Sequence, residues 1–192
     1  MSGESLAPAG IVLAAGASRR FNGVKQLADL RGRPLLSYAV ESMLAVGALD
    51  PVIVVLGHAA EEIAAGVDFG DATVVVAGDW DDGQSASLKR GIAAAGDADA
   101  VVVTLGDQPF ITPQVIAGAL DHLPGSDAVR ATYGGVPGHP VVLARTVMDA
   151  VRDLSGDTGA RDLLARFRVA EWEAGHLCSA ADIDTQEELA QL

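Results

Sequence analysis

The chain has 192 residues, 49% hydrophobic and 20% charged, which suits one globular domain (residues 1–192) and excludes a disordered chain. Its formal net charge of −13 repels nucleic acid and anionic membranes, so neither is expected as a partner. The single cysteine, Cys178, excludes a disulfide framework within the chain and any zinc site built on paired cysteines, and reads as an inert thiol. In chain order, residues 11–15 form an apolar run that opens into Gly16, the first predicted strand. Residues 34–46 read as a helix, with Pro34 in its first turn and Leu35, Leu36, Ala39, Val40, Met43 and Leu44 at helical spacing. The continuous run 52–56 predicts a strand buried on both faces, followed by a short helix over 61–65 and a strand over 73–77. A helix led by Gly83 runs to residue 95, and the strand 100–105 stops at Gly106-Asp107-Gln108-Pro109. Thr112 then caps a helix with Pro113 at its first position. Residues 128–132 and 140–143 read as strands around a glycine-rich turn, and helices are expected over 145–153, 158–167 and 185–191.

This alternation predicts a three-layer α/β sandwich around a mostly parallel, Rossmann-like sheet. In such sheets ligands bind beyond the carboxyl ends of the strands, so residues 16–25 and 106–109 are expected to share one crevice. The first ten residues, MSGESLAPAG, do not resemble a signal peptide, and no stretch approaches the roughly 20 apolar residues of a membrane span. A cytoplasmic protein is expected.

The segment after the first strand runs from Leu13, Ala14, Ala15 and Gly16 through Ser18, Arg19, Arg20, Phe21, Asn22 and Gly23 to Lys25. Small residues let the backbone approach a ligand, and successive N–H groups can form an anion-binding nest. Three cations concentrate here in an acidic chain. Only Lys25 and Lys89 are lysines, against 11 arginines, so Lys25 reads as a mobile point charge for phosphate. A solvated loop with incidental charge is the alternative. Neither GxxxxGK[ST] nor GxGxxG is present, which argues against a P-loop ATPase and a nicotinamide enzyme.

Asp107 is an acid at the end of a hydrophobic strand, a poor packing choice but a natural ligand for a hard cation that bridges phosphates. Near the C-terminus, Asp182-Ile183-Asp184-Thr185-Gln186-Glu187-Glu188-Leu189 offers a second carboxylate. Asp184 or Thr185 can equally be read as a cap for the last helix. Gly83, Ser85 and Ser87 place N–H groups and hydroxyls at a helix start, suited to a ribose or base, or to serine capping. Asp79, Asp81 and Asp82 read as a solvated acidic loop beside Trp80.

Together these segments resemble the nucleotidyltransferases that mature molybdenum cofactor, the molybdopterin nucleotidyltransferase family. Residues 13–25 are similar to its LAAGxSxRMGxxK signature, with Phe21 for Met and Asn22 where Gly is usual; Asn tolerates a left-handed backbone. Residues 106–109 resemble its GDQP metal motif, and residues 182–189 its DIDTPEDL tail, with Gln186 for Pro. Residues 83–91, 138–141 and 156–161 resemble its GxSxSLxxG, GxPV and GDxGAR segments.

The resemblance covers residues 10–190 and implies a nucleotide-diphospho-sugar transferase type of fold. It implies Mg²⁺ held by Asp107 and Asp184, with Asp182 in reserve. It places a nucleotide on Leu13, Ala14, Ala15, Gly16, Ser18, Arg20, Lys25, Gly83, Ser85 and Ser87, and gives Arg20, Lys25 and Asp107 the catalytic roles. His139, Asp157 and Arg161 would meet the acceptor. The implied reaction transfers CMP from CTP to the terminal phosphate of a molybdopterin-type cofactor destined for a molybdoenzyme or its chaperone. The same chemistry with GTP or a sugar phosphate, and a carrier role without turnover, are the alternatives.

Overall fold

The computed structural model describes residues 6–151 and 163–192. Seven strands form one sheet: β1 (Pro8–Ala14), β4 (Val52–Leu56), β5 (Thr73–Val76), β6 (Ala100–Leu105), β7 (Ala128–Tyr133), β8 (Val136–Ala144) and β9 (Val169–Glu173). Their order is β5-β4-β1-β6-β8-β7-β9. Only β8 runs against its neighbours; the β1–β4, β1–β6, β4–β5 and β7–β9 pairs are parallel. Two short strands, β2 (Asp29–Leu30) and β3 (Arg33–Pro34), pair separately. Every residue of β1 and β4 is buried, as a parallel strand covered on both faces requires.

Helices α1 (Leu35–Leu44), α2 (Ala60–Gly66) and α4 (Pro113–Asp121) cover one face, where Leu36, Val40, Met43, Ile63, Val115 and Ile116 pack on Val12, Val54, Val102 and Val129. Helices α3 (Gln84–Ala94) and α5 (Arg145–Val151) cover the other, with Leu88, Ile92, Val147 and Met148 against Ile11, Ile53, Val101 and Leu143. The predicted three-layer sandwich is thus the observed one. Close approach of α3 depends on Gly91, where a Cβ would fall 2.8 Å from Ile11 Cγ2. Among the described residues no helix is long and apolar enough to cross a membrane.

Two sequence expectations change. Strand β8 begins at Val136, not residue 140, because Gly134 and Gly135 (φ 61° and 80°) make the whole turn and Gly138 lies within the strand. Strand β9 went unread. Its alternation is short, with Trp172 packed on Gly118 of α4 and His122, and Glu171 and Glu173 on the exposed side. The predicted helices over 145–153 and 158–167 fall partly outside the described residues.

Glu173 explains why the β7–β8 turn is ordered. Its carboxylate accepts hydrogen bonds from the Gly134, Gly135 and Gly175 N–H groups (2.9, 3.1 and 3.0 Å) and from Thr132 Oγ1 (2.9 Å). The Gly134 and Gly135 donors, aided by Thr132 and Gly175 against partial desolvation, hold its pKa at about 2, below the ordinary 4.5. A depressed carboxylate pKa contributes stability that is present above the unfolded value and lost as pH falls through the folded one. Glu173→Gln is therefore expected to melt below the parent protein at pH 7, with the gap closing between about pH 4.5 and 2. Thermal melts across that range check it; a gap that does not change with pH would remove the carboxylate from the account.

Candidate active site

β1 ends where the strand order reverses, so the loop that follows it opens over the crevice between β1 and β6. Ser18 (φ 51°) and Asn22 (φ 55°) take the left-handed conformation, and Gly23 follows at φ 150°. Asn22 thus does what the usual glycine would do, as its side-chain chemistry predicts. The loop is held from below by Gln26, 6% exposed, which sequence reasoning missed. Its Nε2 donates to Ala14 O (2.9 Å) and Gly16 O (3.2 Å), and its Oε1 accepts from Ser18 Oγ (3.3 Å). A buried amide beside a lysine carries no periodic signal, because its partners are backbone carbonyls brought near only by the turn.

Lys25 does not project as a mobile charge. It is 8% exposed, and its Nζ lies 2.7 Å from Asp107 Oδ2 and 3.0 Å from Asp184 Oδ1. Two carboxylates 77 residues apart are thereby joined on one ammonium group. Burial pulls the Lys25 pKa down, but the Asp107 and Asp184 carboxylates outweigh it and leave it raised. Asp184 is correspondingly lowered by its Lys25 hydrogen bond, against partial burial, with help from the Arg20 charge. Arg20 reaches Asp184 Oδ2 at 2.7 Å with a side chain still 75% exposed, so it has freedom to move that Lys25 lacks.

The C-terminal arm is brought here by packing. Ile183 buries against Phe21, Leu30 and Leu35, linking arm, loop and α1 in one small apolar cluster. Ile183 N donates to Asp107 O (3.1 Å). Gln108 Nε2 donates to Asp182 Oδ1 (2.6 Å) and Ala180 O (3.3 Å). Asp182 is thus occupied by Gln108, and burial raises its pKa, whereas Asp184 faces Lys25 and Arg20. Capping of the last helical turn, Gln186–Leu189, falls to Thr185: its Oγ1 accepts from Glu188 N (3.1 Å), and Glu188 Oε2 accepts from Thr185 N (3.0 Å). The Asp184 side chain is free of that duty. Thr185→Ala is accordingly expected to cost about 1 kcal/mol of stability and leave turnover unchanged. Melting and turnover of the one variant decide it; a turnover loss at unchanged stability would show that Thr185 does more than cap the turn.

Asp107 Oδ1 is buried and has no hydrogen-bond partner. An orphaned carboxylate oxygen, with a second carboxylate on the same ammonium, is a donor set suited to a hard divalent cation that completes its shell with phosphate oxygens and water. Among the described residues no group of three His, Cys, Asp or Glu forms a metal cage. Asp79 pairs with Arg90 Nε (3.2 Å) and belongs to the acidic surface loop.

Ser85 (8% exposed) and Ser87 (3%) lie at the start of α3, whose N-cap, Gly83, makes no side-chain capping bond. The N-cap position belongs to Gly83, and both serines follow it within the helix. Ser87, Gln84, Ala15, Gly16 and Asp107 line a crevice of about 210 Å³. A wider groove continues past His139, Arg130, Tyr133 and Asp182. Burial pushes the His139 imidazole down to about 4, although the Asp107 charge opposes it, so His139 is neutral at physiological pH. Asp157 and Arg161 lie outside the described residues. Leu13, Ala14, Gly16, Ser18, Lys25 and Asp107 meet around a single hollow.

The MobA-like NTP transferase domain matches residues 10–172. Nicotine blue oxidoreductase of Paenarthrobacter nicotinovorans is 34% identical over 95% of both chains. The 2-C-methyl-D-erythritol 4-phosphate cytidylyltransferase of Rhodococcus jostii is 30% identical over 83% of this chain and 74% of its own. The crystal structure of Rv0371c from Mycobacterium tuberculosis is 30% identical, covers 98% of both chains and superposes with a TM-score of 0.87. That protein has also been crystallised in complex with manganese (TM-score 0.81, 30% identity, 96% of this chain and 97% of that one).

Proposed function

The chain belongs to the MobA-like NTP transferase family, and from that premise we propose that it transfers CMP from CTP to the terminal phosphate of a molybdopterin-type cofactor, releasing pyrophosphate. The supporting observation is the union of Asp107 and Asp184 on Lys25 beside the loop that follows β1 at the sheet's switch point. Mg²⁺ suits the two carboxylates, and when bound it supplies charge neutralisation at the phosphates.

The remaining work falls to the chain itself. The attacking group is the acceptor phosphate, already anionic near neutral pH, so no strong general base is needed. Catalysis is positioning and charge neutralisation. The loop N–H groups after Ala15 hold the triphosphate, and Gln26 fixes their direction. Arg20, exposed and able to turn from Asp184, meets the β- and γ-phosphates and stabilises the leaving pyrophosphate. Lys25 keeps the carboxylates apart and aligned, and its charge also serves the phosphates. Neutral His139 offers a hydrogen bond rather than a charge to the acceptor in the wider groove, whose product would pass to a client molybdoenzyme or its chaperone.

CTP is expected to be preferred over GTP. Ala15 stands where guanylyl-transferring relatives are expected to carry glycine, and its methyl lies beside Gly57 at the wall of the crevice. Bulk of this size discriminates by about 1–3 kcal/mol, so roughly tenfold is expected rather than exclusion. The test is a competition of CTP and GTP at equal concentration with the pterin cofactor, reading pyrophosphate release and the mass of the dinucleotide. A mainly guanine product overturns the cytidylyl assignment. Absence of pyrophosphate with every NTP overturns the transferase reading in favour of a carrier, or of the oxidoreductase activity in the Paenarthrobacter relative's name.

A further inference from the structure

Aromatic residues are scarce in this chain: four Phe, two Tyr and two Trp. Trp172 is accounted for by packing, with its ring 2.5 Å from where a Cβ on Gly118 would sit and 5.3 Å between centroids from His122. Trp80 is not. It opens the 3-10 turn Trp80–Asp82 between β5 and α3, half-buried, and it lines the crevice together with Ala15, Gly16, Gln84 and Asp107. Gly16 and Asp107 also line the hollow of the Lys25 loop. A molecule whose phosphates lie at that loop therefore extends toward Trp80.

The indole is set in place by two neighbours. The His58 ring meets it in a T-shaped contact, with centroids 5.2 Å apart and planes at 64°. Gly57 lets it approach the end of β1: a Cβ there would fall 2.6 Å from Trp80 Cβ, 2.7 Å from Ala15 O and 2.8 Å from Ala15 Cβ. A large apolar ring fixed at the edge of a polar crevice, beside the exposed amide of Gln84, has the composition of a nucleobase wall: a stacking surface with a polar edge next to it.

We propose that Trp80 is the stacking wall for the base of the nucleoside triphosphate, held in position by His58 and Gly57, with Gln84 contacting the base edge. The inference rests on the nucleotidyl-transfer reading and adds the residue that receives the base. Stacking is tolerant of base identity, so Trp80 supplies affinity common to CTP and GTP, while Ala15 and Gln84 discriminate between them.

The experiment uses the full chain with Mg²⁺ and two probes, CTP and tripolyphosphate, which carries the charge without a base. In a Trp172→Phe variant with parental turnover, Trp80 is the sole tryptophan, and CTP is expected to quench its emission while tripolyphosphate does not. Trp80→Ala is expected to raise the Kd for CTP about tenfold, the scale of one base–aromatic stack, and to leave the Kd for tripolyphosphate within about twofold. Trp80→Phe is expected to recover most of the loss. Calorimetric binding of CTP with unchanged Trp80 emission, or equal losses for both probes in Trp80→Ala, overturns the inference while leaving the transferase reading intact. Failure of every nucleoside triphosphate to bind the parent protein overturns that reading and this inference with it.

Discussion

Replacing Asp107 with asparagine is expected to cut CTP-dependent pyrophosphate release by at least about 10³-fold, because a lost metal carboxylate removes several kcal/mol of transition-state stabilisation. The fold should survive. Asparagine keeps the shape, the backbone bond from Ile183 N to Asp107 O is untouched, and Lys25 still has Asp184 at 3.0 Å. Among the described residues Asp107 is also the one carboxylate with a buried oxygen that no protein group satisfies. A neutral amide at that position leaves Lys25, Arg20 and the loop in place and takes away only the anionic donor. Asp184→Asn is expected to fall in the same range, and Asp182→Asn much less, since Asp182 is engaged by Gln108. Turnover of the three purified variants, with circular dichroism as the control for folding, checks the assignment. Near-normal release from Asp107→Asn would exclude it as the metal ligand, and a larger loss at Asp182 than at Asp184 would exchange their roles.

The second large effect is expected at Lys25, on stability as well as turnover. Lys25→Met keeps the length and apolar stem but leaves Asp107 and Asp184 facing each other beside Asp182. Breaking a fully buried pair costs about 3–5 kcal/mol; with the carboxylates a quarter exposed, about 2 kcal/mol is expected. The pH dependence follows from the two shifts. Asp184 is lowered from 3.8, so its contribution is full above that value and is lost as pH falls through the folded one. Lys25 is raised above 10.5, so its contribution is full below that value and is lost as pH rises through the folded one. The stability gap between parent and variant should therefore be widest between about pH 4 and 10.5 and close on both sides. Triphosphate binding should weaken in the same variant, whereas Lys89→Ala, on α3 away from the loop, should change neither property. Melts of Lys25→Met that superimpose on the parent at neutral pH would show that the ammonium is not the link between the carboxylates.

What the amino-acid order determined by itself is the part of the molecule written in local rules. Periodicity and capping residues set most helices and the parallel strands, because an apolar run such as 52–56 or a Thr112–Pro113 start needs no distant partner to be recognised. The glycine-rich loop, Asp107 at a strand's end and the left-handed tolerance of Asn22 were readable for the same reason. Strand β9 escaped, since a short strand is defined by its pairing with β7 and not by its own composition. Only the tertiary structure gives Asp182 and Asp184 different surroundings: Gln108 takes the first, Lys25 and Arg20 meet the second, and Thr185 assumes the cap. It likewise turned Lys25 from a mobile charge into a buried bridge, and gave Gln26 and Trp80 their places. Those outcomes depend on residues distant in sequence, such as Ile183 beside Phe21, packing together and fixing where the charged groups between them must lie.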